Sequence, residues 1–476
     1  RRHMRRCWRL LALGVAVALA GRTVSAEDAA PDPNAPTQVK LVLHAQAVPS
    51  AALKYELLPP FLDTTPGNAA PLWYRAILHM KAQLKPQDPQ VLYDLLEVES
   101  TNFAVETVKP ILGRFHTTLD AMEAAARRGH CDWDLPLRSD NPTAVLLPEM
   151  QDARTLAYLI ALQTRVQVHE GQYDEAIHSL QTGFALGRDV NQCPLIICNL
   201  IAVAIDQILA NRIEEMLQRP DAPNLYWALT ALPESLAPID RAVHYEMSIP
   251  YQLFPFLRNP AETDRPDAEW QKLWDEAAVR LSRDVSNRPT NPWEMRLMMA
   301  ANSVRLYPKA KELLKARGYS SAQIESMPVG QALAIYSAEI IEAARGESFK
   351  WANIPLWQQQ QEDHLPELPP QRVEVLPIVS TLLPVVRQFQ FASQRLNRRM
   401  AELRALEALR AAAARQGALP DNLALTATPV PHNPCTGGPF GYVRNKDHAT
   451  LTADEAPGSR RSNLARVYQI TLQPVP

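Results

Sequence analysis

Glycine is scarce, 16 in 476 residues, and no glycine-rich loop of the kind that cradles a phosphate is present. That argues against a Rossmann or P-loop enzyme, because both folds need a Cβ-free backbone close to the nucleotide. The eleven histidines are scattered singly, with no His-Glu-x-x-His, and no Gly-x-Ser-x-Gly elbow occurs. No metal or cofactor site is therefore expected. Five cysteines in a chain this long cannot make a disulfide scaffold. Basic surplus is also missing: the formal net charge is −2. The first 26 residues hold six arginines and no acid, so the remainder carries about −8, which argues against nucleic acid and anionic lipid as partners.

What is present begins with that basic segment. Arg1, Arg2, Arg5, Arg6 and Arg9 precede an apolar run from Leu10 to Ala20, followed by Val24-Ser25-Ala26. The run is about half of the roughly 20 residues a spanning helix requires, and small residues stand where a signal peptidase reads. Residues 1–26 are expected to be a signal peptide cleaved after Ala26, giving a periplasmic or secreted protein with no transmembrane segment after cleavage. Cys131, Cys193, Cys198 and Cys435 would remain. Free buried thiols are the preferred reading for them, since cysteine is among the most buried residue types. A Cys193–Cys198 bridge is disfavoured if both residues are helical.

Periodicity predicts a mainly α fold: stacked helical hairpins in a solenoid-like or irregular array, with a small C-terminal α+β cap. Residues 27–37 read as a disordered lead-in, 38–360 as the helical array with an N-terminal strand over Val39 to Leu43, 361–378 as a proline-rich linker, and 379–476 as a long helix plus strand-bearing module. Asn68 and Pro71 start a helix, and Pro110 predicts a kink or a split between Phe103 and Arg128. Gly171-Gln172-Tyr173-Asp174-Glu175-Ala176-Ile177 is similar to the inter-helix segment of a tetratricopeptide repeat, with no second copy at about 34 residues. Pro194 to Leu217 is the most apolar helix, but Asn199, Asp206 and Gln207 mark it as a core helix. Tyr468, Ile470 and Leu472 alternate with polar residues, so the last strand is expected to pair with Val39 to Leu43.

The segments Cys131 to Leu137, Pro223 to Pro233, Leu403 to Arg410, Gly417 to Asp421 and Asn433 to Tyr442 resemble a family of large, exported, mostly helical bacterial proteins. That resemblance implies a compartment and a fold and brings no activity with it. Gly417-Ala418-Leu419-Pro420 and Asn433-Pro434-Cys435-Thr436-Gly437-Gly438-Pro439-Phe440-Gly441-Tyr442 are locally similar to the ends of type II secretion pseudopilins, whose N-terminal membrane helix is missing here.

Two clusters stand out as candidate pocket or interaction residues. Asp132, Trp133 and Asp134 lie in a predicted loop, where Asp132 serves equally well as a turn cap and Trp133 as a core plug. Asn224, Tyr226 and Trp227 offer an aromatic platform for a glycan or peptide, or else a capped amphipathic helix start. Acidic pairs such as Glu97/Glu99, Asp174/Glu175 and Glu214/Glu215 are expected on solvated faces. The functional expectation is a non-enzymatic extracytoplasmic scaffold that binds an envelope protein or peptide. The alternative is an exported hydrolase with Asp132, Asp134 and Glu149 as acids, which requires two carboxyls within roughly 5 to 9.5 Å.

Overall fold

The computed structural model describes residues 35–137, 148–284, 291–359, 374–376, 379–455 and 465–473. The expected signal peptide, residues 27–34 of the lead-in and most of the proline-rich linker lie outside the described residues. Strand β1 (Thr37–His44) and the short β2 (Thr65–Asn68) lead into α1 (Ala70–Gln83) and α2 (Asp88–Glu97). The Asn68 side-chain oxygen accepts the Ala70 N–H at 3.1 Å, and Pro71 follows in the first turn, where a missing N–H leaves nothing unpaired. The stretch around Pro110 is split into α3 (Val105–Arg114) and α4 (His116–Ala126), parting at Phe115, whose ring is buried. Then β3 (Arg128–His130) pairs in parallel with β2.

The centre of the array is α5 (Pro148–His169), α6 (Tyr173–Val190) and α7 (Ile196–Met216), which pack on one another. Gly171, at φ +74°, supplies the left-handed turn between the first two. Shorter helices follow: α8 (Tyr226–Thr230), α9 (Asp240–Glu246) and α10 (Ile249–Leu253). A second layer consists of α11 (Asp267–Asp284), α12 (Pro292–Ala316), α13 (Ser321–Ser326), α14 (Val329–Asn353) and α15 (Leu356–Gln359). Ser320 and Gln323 close a reciprocal capping box on α13. The long α16 (Val379–Gln416) then runs back through the molecule, touching α7, α8, α14 and β1.

The chain ends in β4 (Gly441–Asn445), β5 (His448–Ala453) and β6 (Arg466–Gln473). The sheet order is β1-β6-β5-β4, with β1 parallel to β6 and the rest antiparallel. Val39 pairs with Tyr468, Leu41 with Ile470 and Leu43 with Leu472, so the two ends of the described chain close one sheet, as the alternation of apolar residues foretells. The fold is thus mainly α with a small strand-bearing cap.

Helix α7 is long and apolar enough to cross a membrane by length and composition, but 67% of its most apolar window is buried within the protein. Its approach to α6 is set by two glycines. A Cβ on Gly183 would stand 2.6 Å from Leu209 Cδ2, and one on Gly187 would stand 2.2 Å from Asp206 Oδ1. The first clash meets the end of a flexible side chain; the second meets a short, buried carboxyl with nowhere to move. Neither oxygen of Asp206 has a hydrogen-bond partner among the described residues. Burial pushes its carboxyl well above the usual carboxylate range, favouring the neutral acid in the folded protein.

Two outcomes follow for thermal unfolding. Gly187→Ala is expected to cost about 1–3 kcal/mol by overpacking, with most of that cost relieved in the Gly187→Ala/Asp206→Ala double variant; additive losses would show that the carboxyl is not the obstacle. Because the folded pKa of Asp206 lies above the unfolded one, its stabilising share is complete below about pH 4 and is lost as pH rises. Asp206→Asn should therefore match wild type near pH 3.5 and become progressively more stable than it toward pH 7; a difference independent of pH would contradict this.

Candidate functional site

The loop after β3 is fixed by a reciprocal pair. Asn68 Nδ2 donates to the Asp132 carbonyl and the Asp132 N–H donates to Asn68 Oδ1, both at 2.8 Å. The Asp132 carboxylate accepts the Asp134 N–H at 3.0 Å, and Asp134 sits at φ +49°, so the two acids form a side-chain-mediated turn. Both are exposed. Trp133 points the other way: it is buried, lies edge-on to Tyr74 at 5.5 Å, and its Nε1 donates to the Asp189 carbonyl at 2.8 Å. Glu149 is half-buried in the first turn of α5.

Asp189, to which no motif points, is the hub beneath that loop. Its carboxylate accepts from Trp73 Nε1 at 2.9 Å and Arg188 Nε at 2.8 Å. Burial raises its carboxyl, against the opposing pull of Arg188 and Trp73. Two indoles from α1 and the loop are thereby latched to the end of α6. A sequence signal existed only in the tryptophans, whose N–H demands a partner when buried. Trp133→Phe keeps an aromatic ring but removes one hydrogen bond to the Asp189 carbonyl, which still accepts the Gln192 N–H at 3.2 Å, and is expected to lower stability by about 0.5–1.5 kcal/mol in chemical denaturation; an unchanged midpoint would show that the latch contributes nothing.

The second cluster is also interior. Asn224 is buried and donates to the carbonyls of Gln46 at 3.1 Å and Glu407 at 2.9 Å, while its side-chain oxygen accepts the Tyr226 N–H at 3.0 Å. The Leu225 N–H goes to Glu407 Oε1 at 3.0 Å. Tyr226 is buried, donates its hydroxyl to the Pro429 carbonyl, and meets the half-buried Trp227 edge-on at 4.9 Å. The cluster locks α8 onto α16 and the C-terminal loops.

Buried charge is concentrated along α16. Arg399 pairs with Glu214 at 2.6 Å and with Glu402 at 3.5 Å. Arg398 pairs with Glu402 at 3.1 Å and Glu455 at 2.7 Å. The Tyr468 hydroxyl donates to Glu402 at 2.6 Å, and Arg466 pairs with Glu214 at 3.3 Å, so the sheet joins the same network. One turn on, Arg410 holds Glu407 at 2.9 Å and donates to the carbonyls of Ala222, Pro223 and His44. Burial opposes the charge on Arg399, but Glu214 and Glu402 outweigh it and hold the guanidinium firmly ionised.

A parallel network surrounds Glu215, which accepts from Arg165 at 2.9 Å, Arg212 at 2.7 Å and His169 at 3.0 Å. Burial alone would raise its carboxyl, yet the His169 hydrogen bond and the two arginines pull it down to about 2. Glu214 and Glu215, expected on a solvated face, are therefore inside. Acids can sit there because arginines neutralise them, Arg212 from the preceding turn and Arg165, Arg399 and Arg466 from distant parts of the chain. Glu97, Glu99, Asp174 and Glu175 are exposed.

Ser100 Oγ lies 3.2 Å from His169 Nε2, which suggests a Ser-His-Glu relay. Both the serine and Glu215 meet the same ring nitrogen, however, whereas a relay needs the two nitrogens to serve opposite partners. The trio binds elements together. Glu215→Gln is expected to cost about 3–5 kcal/mol at pH 7, because two arginines lose their counter-charge. A depressed folded pKa stabilises above the ordinary carboxylate range and is lost as pH falls toward about 2. The wild-type advantage should accordingly shrink between pH 4.5 and 2 in acid-unfolding curves, and a constant gap would refute the assignment.

All four described cysteines are buried and unlinked. Burial raises the thiol of Cys435 to about 12, so it carries no reactive thiolate at neutral pH. Among the described residues no cluster of three or more His, Cys, Asp or Glu is placed to hold a metal ion.

Exposed apolar residues include Leu53, Phe61, Leu62, Leu78 and Val443, and a run of them lies on one helix, α12. Asn291 caps it by accepting the Trp293 N–H at 3.1 Å. One face, Met295, Met299, Leu306, Ala310 and Leu314, is buried against neighbouring helices. The opposite face carries Trp293, Leu297 and Val304, which are 66%, 64% and 79% exposed. Four-residue spacing continues that stripe through Ala300, Ala301 and Pro308, all exposed. The second apolar face is hidden in the sequence, because both faces contribute to one undivided apolar pattern. Compared with protein-family models, curated proteins and solved structures, the chain matches none of them.

Proposed function

We propose that the protein is a non-enzymatic, extracytoplasmic binding scaffold of the bacterial envelope. The observation that carries this reading is the outward stripe of α12. Exposed tryptophan, leucine and valine on one helical face are costly in water, and a contiguous exposed apolar patch marks an interaction site. The interior supports the same reading. Glu214 and Glu215 are engaged with arginines, and the two sequence-selected aromatic clusters hold helices together. Export rests on the arginine-rich start, the short apolar run and Val24-Ser25-Ala26.

A photo-crosslinking amino acid at Leu297 or Val304 in native cells should give discrete adducts, while the same probe at exposed Gln323, off the stripe, should give none. Absence of adducts at all three positions would defeat the binding reading. Separately, N-terminal sequencing of the protein from the extracytoplasmic fraction should begin at Glu27; a chain that retains residues 1–26 in the cytoplasmic fraction would defeat the export reading.

A further inference from the structure

We infer that the outward face of α12 is a two-fold interface that joins two copies of this chain with their α12 helices antiparallel. The inference rests on the binding role proposed above and names the partner. Three observations carry it, and each concerns the pattern of residues on this face.

The first is that the stripe is nearly its own mirror along the helix. At about 100° per residue, Trp293, Leu297, Ala300, Ala301, Val304 and Pro308 share one arc, and at about 1.5 Å per residue they extend over roughly 22 Å. Reversed about a point between Ala300 and Ala301, Leu297 falls on Val304, Trp293 falls on Pro308, and the two alanines fall on each other. A two-fold contact demands that kind of self-complementarity.

The second concerns the crossing point. Ala300 and Ala301 are small and exposed, so two helix backbones can approach there to the short end of the usual 8–10 Å range. Flanking Leu297 and Val304 then close over the gap from both sides.

The third is charge. Glu294, Arg305 and Lys309 lie along one edge of the stripe, all exposed, and none has an ion-pair partner among the described residues. A two-fold axis across the helices keeps that edge on the same side. The reversal brings Glu294 of one copy to a level between Arg305 and Lys309 of the other, about 3 Å along the axis from each. In a parallel pair this edge would instead face the partner's opposite edge, and Glu294 would lie away from Arg305 and Lys309. Arg296, on the opposite edge, already pairs with Asp275 at 3.6 Å within the chain and does not compete.

No described residue covers this face, and the area of one helix against one helix puts the contact at the small end of specific interfaces. The association should therefore depend on concentration in the micromolar range.

The test is sedimentation velocity of the mature full-length chain from about 1 to 200 µM, a range that spans weak self-association. A monomer–dimer equilibrium is expected. Leu297→Glu/Val304→Glu should abolish it while leaving the circular dichroism spectrum and thermal midpoint intact, which separates loss of contact from loss of fold. Glu294→Lys should weaken the dimer at least tenfold, and adding Arg305→Glu and Lys309→Glu should restore it. Ala301→Cys should cross-link to itself under mild oxidant, whereas Trp293→Cys, far from the axis, should not.

A chain that stays monomeric throughout overturns the inference, as does a dimer indifferent to the Leu297/Val304 pair. A monomer that binds anionic vesicles through the same residues overturns it in favour of a lipid surface. If the chain is monomeric yet Leu297 still forms discrete adducts to another protein in cells, the dimer fails and the binding role stands; if no adducts form either, both fall.

Discussion

The structure depends on charge being buried along α16 and neutralised there. Moving an ion out of water costs several kcal/mol unless its partners are close and hydrogen bonded. Glu402 is fully buried between Arg398, Arg399 and the Tyr468 hydroxyl. These partners come from one helix and one strand, while Arg399 also reaches Glu214 on α7. No element of the trio can leave without stranding a charge in the interior. The network thus fixes the register between helical array and sheet in a way that apolar contacts, being non-directional, do not.

The same logic explains why the chain ends meet. β1 and β6 pair over their whole length, and His44, at the end of β1, gives its carbonyl to Arg410 on α16. Arg410 also gathers Ala222 and Pro223, just before α8, and Glu407 receives the Leu225 N–H. A single helix therefore holds the first strand, the last strand and the middle of the array.

Much of the architecture was legible in the residues. The helix introduced by Asn68 and Pro71 starts where they place it, the stretch around Pro110 splits as the proline predicts, and alternation in Val39–Leu43 and Tyr468–Leu472 announced the closing strand pair. Local signals suffice there because caps and alternation act over a few residues. The candidate clusters fared differently: Trp133, Asn224 and Tyr226 are interior anchors, while Asp132 and Asp134 form an exposed turn. The short β2–β3 pair was missed, since Thr-Pro-Gly-Asn and Arg-Gly-His carry no strand pattern. Burial of Glu214, Glu215, Glu402 and Glu407 was equally hidden. On a helix such acids look solvated, and only partners tens to hundreds of residues away show otherwise.

The most direct measurement is the unfolding free energy of Glu402→Gln by chemical denaturation at pH 7. Removing that one charge leaves Arg398 and Arg399 short of a partner in the interior, so a loss of about 3–5 kcal/mol is expected, the scale for breaking a buried pair. A variant within about 1 kcal/mol of wild type, the range of an exposed ion pair, would contradict the claim that this helix holds the molecule together.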